Sequence, residues 1–342
     1  MLNLTVGYNQ AKAAITRVLV AGLVPYITSS PGLGKSSLIK AVANEFNLQL
    51  IDIRLSMFEP SEINGLPNFT NTGEAYFAPF NLFPLETTPL PKDKSGWLIL
   101  CDELSSASKQ TIAAAYKLIL DKQVGNYNLH PNTAIVCAGN RMQDRALVNT
   151  LSTAMQSRLV HLELEVNFTE WLEIIGIPHK YDNRILAYLA QYPSKLNSFK
   201  PDHQDKTYAC PRSWEFLNKL IKDTEITKDD IPLFAGTVSE VIAVEFVQFT
   251  EIFNDIPKIQ DILTNPNNTS VPDNTSARWS ILTVMLDHIS DDSIEAVLRY
   301  SEQFPLDLRI YFLRSLLVKH PSFKLHQALT QTLVSMSRYI NS

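Results

Sequence analysis

Hydrophobic and polar positions along the chain change period several times, and the changes mark out elements. Residues 10–21 repeat apolar positions at helical spacing and lead into a short apolar run, 23–28. A glycine-containing turn, a helical stretch at 35–46 and a β-branched run at 48–55 follow. Strand, loop, helix and strand in this order open a parallel α/β sheet. Residues 97–101 and 133–138 are continuously apolar, as expected of strands covered on both faces. The run at 159–166 alternates instead, which predicts a fifth strand at an edge. Between the third and fourth strands, residues 108–121 place Ile112, Ala115, Tyr116 and Ile119 on one helical face.

Two regions break this rhythm. Residues 57–94 are rich in Pro, Asn and Thr, hold several aromatics, and are too long for a plain connection. After Phe168 the pattern becomes wholly helical. Val238, Ile242, Phe246, Phe249 and Phe253 form one stripe, and Leu306, Ile310, Leu313 and Leu317 form another. A polar stretch at 265–276 separates them and reads as an exposed loop, and no internal repeat is found.

The 342 residues fit two or three domains, and 45% hydrophobic with 19% charged residues suits a protein with a real core. A net charge of −5 supplies no global field for nucleic acid. Cys101, Cys137 and Cys210 have no metal-type spacing, and Cys101 and Cys137 read as small buried hydrophobes in a reducing compartment. His130, His161 and His179 are scattered and read as structural. The N-terminus lacks the basic and apolar regions of a signal peptide, and no apolar run reaches membrane-spanning length. The expectation is a cytoplasmic protein without a membrane role.

Chemistry enters with Ser29-Ser30-Pro31-Gly32-Leu33-Gly34-Lys35-Ser36. This is the phosphate-binding pattern G-x-x-x-x-G-K-[ST] with Ser29 in place of the first glycine. The loop backbone from Ser30 to Ser37, with N–H donors at every position but Pro31, and a helix N-terminus would surround the phosphates of ATP. Gly34 permits close approach, Lys35 reaches the β- and γ-phosphates, and the Ser36 hydroxyl coordinates Mg²⁺. The apolar strand Trp97–Cys101 then ends in Asp102 and Glu103. Carboxylates at the C-terminal end of a parallel strand face the ligand crevice. Asp102 would serve the Mg²⁺ and Glu103 would orient and activate the attacking water. Asn140 closes the neighbouring apolar run, where a turn former and a γ-phosphate contact are both open readings.

Over Thr5 to about Leu217 the chain resembles the MoxR-type AAA+ ATPases. Val6-Gly7-Tyr8-Asn9-Gln10-Ala11 resembles that family's base-contacting opening. Leu120-Asp121-Lys122-Gln123-Val124 resembles the segment before its short hairpin. Asn140 is similar to its sensor 1 residue, Ser157-Arg158-Leu159 to its arginine-finger position, and Pro211-Arg212-Ser213-Trp214 to its sensor 2 motif. Arg141 and Arg145 are rival trans-acting arginines. The resemblance implies a five-stranded parallel sheet of order 5-1-4-3-2 in an α/β P-loop core at 1–166, with a helix-2 insert at about 57–91. It implies a helical lid at 167–225, a C-terminal helical region at 226–342, and a ring, expected to be a hexamer. It also implies ATP-driven remodelling of a protein partner, with a von Willebrand factor A domain as one form of that partner. A GTPase-like switch would need Asn-Lys-x-Asp, and Asn218-Lys219-Leu220-Ile221 lacks the Asp. A DNA motor or loader would want basic inserts. Residues 57–91 hold Glu59, Glu62, Glu74 and Glu86 and no Lys or Arg, which opposes phosphate contact.

Overall fold

A computed structural model describes residues 4–144, 149–251 and 256–336. The chain divides into two compact units, Met1–Glu165 with Lys200–His203, and Val166–Phe199 with Gln204–Ser342.

The first unit opens with strand β1 (Thr5–Val6), helix α1 (Tyr8–Val20), β2 (Val24–Ser29), α2 (Lys35–Glu45) and β3 (Leu48–Arg54). Then come α3 (Pro60–Asn64), β4 (Leu66–Phe69), β5 (Ala75–Ala78), β6 (Gly96–Asp102) and α4 (Lys109–Asp121). It closes with β7 (Gln123–Val124), β8 (Tyr127–Asn128), β9 (Thr133–Asn140), α5 (Thr153–Gln156) and β10 (Leu159–Leu164). The main sheet is parallel throughout, in the order β1-β10-β2-β9-β6-β3. Its last five strands have the expected order.

The expectation of five strands is corrected to six. The added strand, β1, is two residues long, too short to leave a periodic signal. It pairs Thr5 with Glu163 and Val6 with Leu164, so β10 is not the edge strand its alternation suggested. The alternation has a local cause: Leu159 to Leu162 pair with β2 on one side and meet no part of β1 on the other.

The apolar strands feed two cores. Leu98 and Leu100 of β6, with Ile27, Val136 and Ala138, pack on Ala11, Ile15, Leu38, Ile39 and Val42 of α1 and α2. Ile99 and Cys101 point the other way and join Ile53, Ile135, Cys137 and the α4 residues Ala115, Leu118 and Ile119. A strand that serves two cores alternates in direction yet stays apolar, which explains the unbroken run.

The 57–94 stretch is more ordered than a plain loop. Glu59 and Glu62 form a capping box on α3, with Pro60 as its first residue. Gly65 follows at φ 95°, and a Cβ there would lie 2.5 Å from the Ala78 carbonyl oxygen, so no other residue fits. The antiparallel β4–β5 hairpin then pairs Leu66 with Ala78 and Phe69 with Ala75. The β7–β8 turn packs beside it: a Cβ on Gly125 would lie 3.6 Å from the Phe77 Cβ.

Among its described residues the second unit is all-helical and includes α6 (Phe168–Trp171), α7 (Asn183–Gln191) and α8 (Pro211–Ile221). Tyr188 is fully buried, ringed by Trp214, Phe246 and Phe249. Val238, Ile242, Phe246 and Phe249 are buried as their spacing predicts, while Phe253 lies outside the described residues. In the helix Leu306–Lys319 the buried face is Leu308, Phe312, Leu313 and Leu316. Leu306 is exposed at its first turn, so that stripe is rotated from the expected one. No helix among the described residues is long and apolar enough to cross a membrane.

Candidate active site

The chemistry-bearing residues gather at the C-terminal ends of β2, β6 and β9, where adjacent parallel strands deliver their last side chains to one crevice. β2 ends at Ser29 and α2 begins at Lys35. Gly34 caps α2 at φ 89°, a left-handed conformation costly for any residue with a Cβ. No side chain caps α2 and no acidic residue stands in its first turn, so its N–H groups and positive dipole end suit an anion. Within the loop Leu33 is buried, Pro31 and Gly32 are half-buried, and Ser37 is exposed on α2.

Lys35 crosses the mouth of the loop. Its Nζ donates to the Ser29 carbonyl at 3.2 Å, to Ser29 Oγ at 3.0 Å and to Asn140 Oδ1 at 3.2 Å. Ser29, the departure from the phosphate-loop pattern, thus gives the lysine a hydroxyl acceptor that glycine would lack. The same bonds tie the phosphate loop to the end of β9, so Asn140 is part of the cluster and more than a turn former. Ser105 fixes the asparagine's backbone: its Oγ accepts from Asn140 N at 3.2 Å.

Ser36 Oγ donates to Asp102 Oδ2 at 3.2 Å. A hydroxyl and a carboxylate converging at a helix start are hard oxygen donors. This set fits Mg²⁺, which takes a few protein oxygens and completes its shell with water and phosphate. Glu103 follows at φ 56°, a conformation uncommon for non-glycine residues and concentrated at functional sites. Its N–H is held by Asp102 Oδ1 at 2.8 Å, and its carboxylate accepts from the hydroxyl of Ser56, just beyond β3. Burial raises the Asp52 carboxyl above its usual range; Asp102 and Glu103 add to the shift, against Arg54.

The arginines separate. Arg141 is committed to its own chain, with Nη1 3.0 Å from Glu163, Nε 3.3 Å from Asp144, and a hydrogen bond to Ser30 Oγ. Burial works against its charge, but the hydrogen bonds to Glu163 and Asp144 prevail and raise its pKa. This network braces the phosphate loop from behind and uses the donors a trans-acting residue would need. Arg145 lies outside the described residues. Arg158 is exposed, bonds the Tyr116 hydroxyl, and sits 5.7 Å from the Tyr116 ring centroid, apart from the phosphate-loop cluster. Arg212 is exposed at the start of α8, in the second unit.

Sequence reasoning missed Ser56, Ser105 and the Arg141–Asp144–Glu163 network. Only Arg141 carried a local signal, standing directly after Asn140 and three residues before Asp144. His130, His161 and His179 each bond nearby backbone, at Asn132, Gln156 and Ile175.

Residues 25–161 match the family model for the AAA proteins, the ATPase family associated with various cellular activities. No curated protein matches the chain. Among solved structures, a candidate ATPase from Cytophaga hutchinsonii is 12% identical, covering 98% of this chain and 90% of that one, with a TM-score of 0.39. A Thermotoga maritima RuvB mutant is 15% identical, covering 74% of each chain, with a TM-score of 0.35. Likeness this remote adds nothing to the assignment. The family match falls on the strands and loops that carry Lys35, Ser36, Asp102, Glu103 and Asn140, and residues 25–161 are therefore an AAA+ ATPase domain, which makes the chain an ATP hydrolase.

Proposed function

We propose that this protein is a Mg²⁺-dependent, MoxR-like AAA+ ATPase that remodels or matures a partner protein as a ring, most simply a hexamer. The observation that carries the reading is the single cluster of Lys35, Ser36, Asp102 and Asn140, joined by contacts of 3.2 Å. Lys35 and the α2 N-terminus bind and orient the β- and γ-phosphates. Ser36 and Asp102 would hold the metal, which supplies charge neutralisation at the phosphates. Glu103 takes a proton from the attacking water, Asn140 orients that water or the γ-phosphate, and Arg212 serves as sensor 2. Residues 1–166 form the nucleotide-binding core, 167–225 the lid and 226–342 a C-terminal helical region. The insert at about 57–91 faces the pore or the partner, for which a von Willebrand factor A domain is the family precedent. Its four carboxylates and absence of Lys and Arg argue against nucleic acid.

Arg158 is assigned as the finger lent to a neighbouring subunit's ATP, supported by its exposure and by Arg141 being committed internally. Such fingers contribute about 10³–10⁵ in rate in related hydrolases. The test is a mixture of two inactive variants. Arg158→Ala keeps a whole pocket but lends no finger, and Glu103→Gln lends a finger but cannot activate water. Mixed rings should regain part of the ATPase activity that each variant lacks alone. Confirmed co-assembly with no recovery at any ratio would mean that Arg158 acts within its own subunit or that turnover needs several competent sites in concert, and rescue in the same mixture with Arg145→Ala alone would move the assignment to Arg145.

A further inference from the structure

Among the described residues β3 is the last strand of the main sheet, and its far side pairs with no other described strand. Alternate residues of a strand direct their N–H and C=O groups away from the paired neighbour. Among the described residues, no group outside β6 hydrogen-bonds the backbone of Leu48–Arg54. Edge strands are commonly protected by a bulge, a proline or a lysine. β3 has no bulge, Pro or Lys, and its charges are confined to Asp52 and Arg54: it runs in unbroken register from Leu48 opposite Gly96 to Arg54 opposite Asp102. Nor is the edge filled by the chain beside it. A slot of about 540 Å³ runs along residues 49–52, walled on the other side by Leu82, Phe83 and Pro84. Asp52 is the one charged residue that lines it.

We infer that this edge is a docking strand for an extended segment of a partner protein, apolar at alternate positions and carrying a basic side chain that meets Asp52. A row of alternating donors and acceptors is matched by an extended backbone and by neither a helix nor a compact ligand. Half-buried Leu50 and Ile51 face Leu82, Phe83 and Pro84 on a far wall that also carries Asn81 and Thr88, and these apolar groups take the alternate side chains. Asp52 is exposed on β3, with the carboxylates of Asp102 and Glu103 and the single cation of Arg54 as its charged neighbours, and a cation complements the acidic excess.

The probe is a fluorescein-labelled nine-residue peptide of alternating valine and lysine, titrated into the full-length protein and followed by anisotropy. It should bind saturably and protect the amides of residues 49–52 from hydrogen exchange. Methylating its alternate backbone nitrogens should weaken binding about tenfold or more, because the ladder bonds are lost. Asp52→Asn should weaken it about threefold. Leu82 is 39% exposed, so Leu82→Trp should fill the slot and abolish binding while melting and basal ATPase stay as in the wild type. The inference fails if the peptide does not bind, or if the methylated form binds equally. It also fails if a normally melting Leu82→Trp variant still binds, or if exchange protection falls elsewhere. Protection of β3 that grows with protein concentration and needs no peptide would mean self-pairing, and would overturn it too. Failure here with ATPase activity intact leaves the proposed function standing.

Discussion

At the scale of single residues, the contact between Ser56 and Glu103 has the most direct consequence for turnover. The serine hydroxyl donates to the carboxylate that must accept a proton from water. While that bond lasts, one face of the carboxylate is occupied and is not free to take a proton from water. Ser56→Ala should therefore raise kcat a few-fold with little change in KM for ATP, measured at saturating and limiting ATP. A fall in kcat would mean that the serine orients Glu103 productively. The residues of this cluster differ in how legible they were. Lys35, Ser36, Asp102 and Glu103 stand at fixed spacings from strand ends, so a local pattern revealed them. Ser56 meets Glu103 across 47 positions, Ser105 meets Asn140 across 35, and Arg141 meets Ser30 across 111. Such contacts exist only once the sheet is ordered, and no spacing rule encodes them.

At the scale of elements, the paired hairpins β4–β5 and β7–β8 carry three exposed aromatics of the first unit. Phe69 is 69% exposed, and Phe77 and Tyr127 are also exposed. Their apolar area contributes little to the fold where it stands in solvent. Changing Tyr76 and Phe77 together to alanine should leave basal ATPase and melting near wild type, and abolish stimulation by the partner. A collapse of melting, seen by circular dichroism, would show instead that these rings are packing groups. The hairpin was hard to read because Pro67 falls inside β4, where proline argues against a strand. An isolated two-stranded hairpin tolerates it because neither strand lies in a sheet interior. α1, α2 and α4, by contrast, were legible from helical period alone, because each buries one face on a broad sheet.

At the scale of the whole molecule, the strand order of the core came from the family resemblance alone, while the sixth strand, two residues long, left no pattern to read. The helical unit has its own signature. Burial pushes the Tyr188 phenol far up, helped by Glu245, and raises Tyr181 as well. Burial pushes Tyr300 up to about 12. It does the same for Tyr311. The folded state thus keeps protons that an unfolded chain releases near the usual value of 10.0. This stability is full below that value and is lost as pH rises toward about 12. Helical ellipticity and tyrosinate absorbance should change together in that window. Tyrosinate formation with helices intact would contradict the burial argument.

The central claim is that one cluster at the ends of β2, β6 and β9 binds ATP and activates the water that cleaves it. Glu103→Gln tests it most directly, because the substitution keeps the side chain's shape and removes only its capacity to take a proton. ATP binding and steady-state turnover should be measured on the same preparation, with Lys35→Ala alongside. The account predicts that Glu103→Gln retains ATP and loses turnover by roughly 10²–10⁴, the usual range for a general base. Lys35→Ala should lose productive binding itself. Turnover at the wild-type rate in Glu103→Gln, or unchanged ATP affinity and turnover in Lys35→Ala, would contradict it.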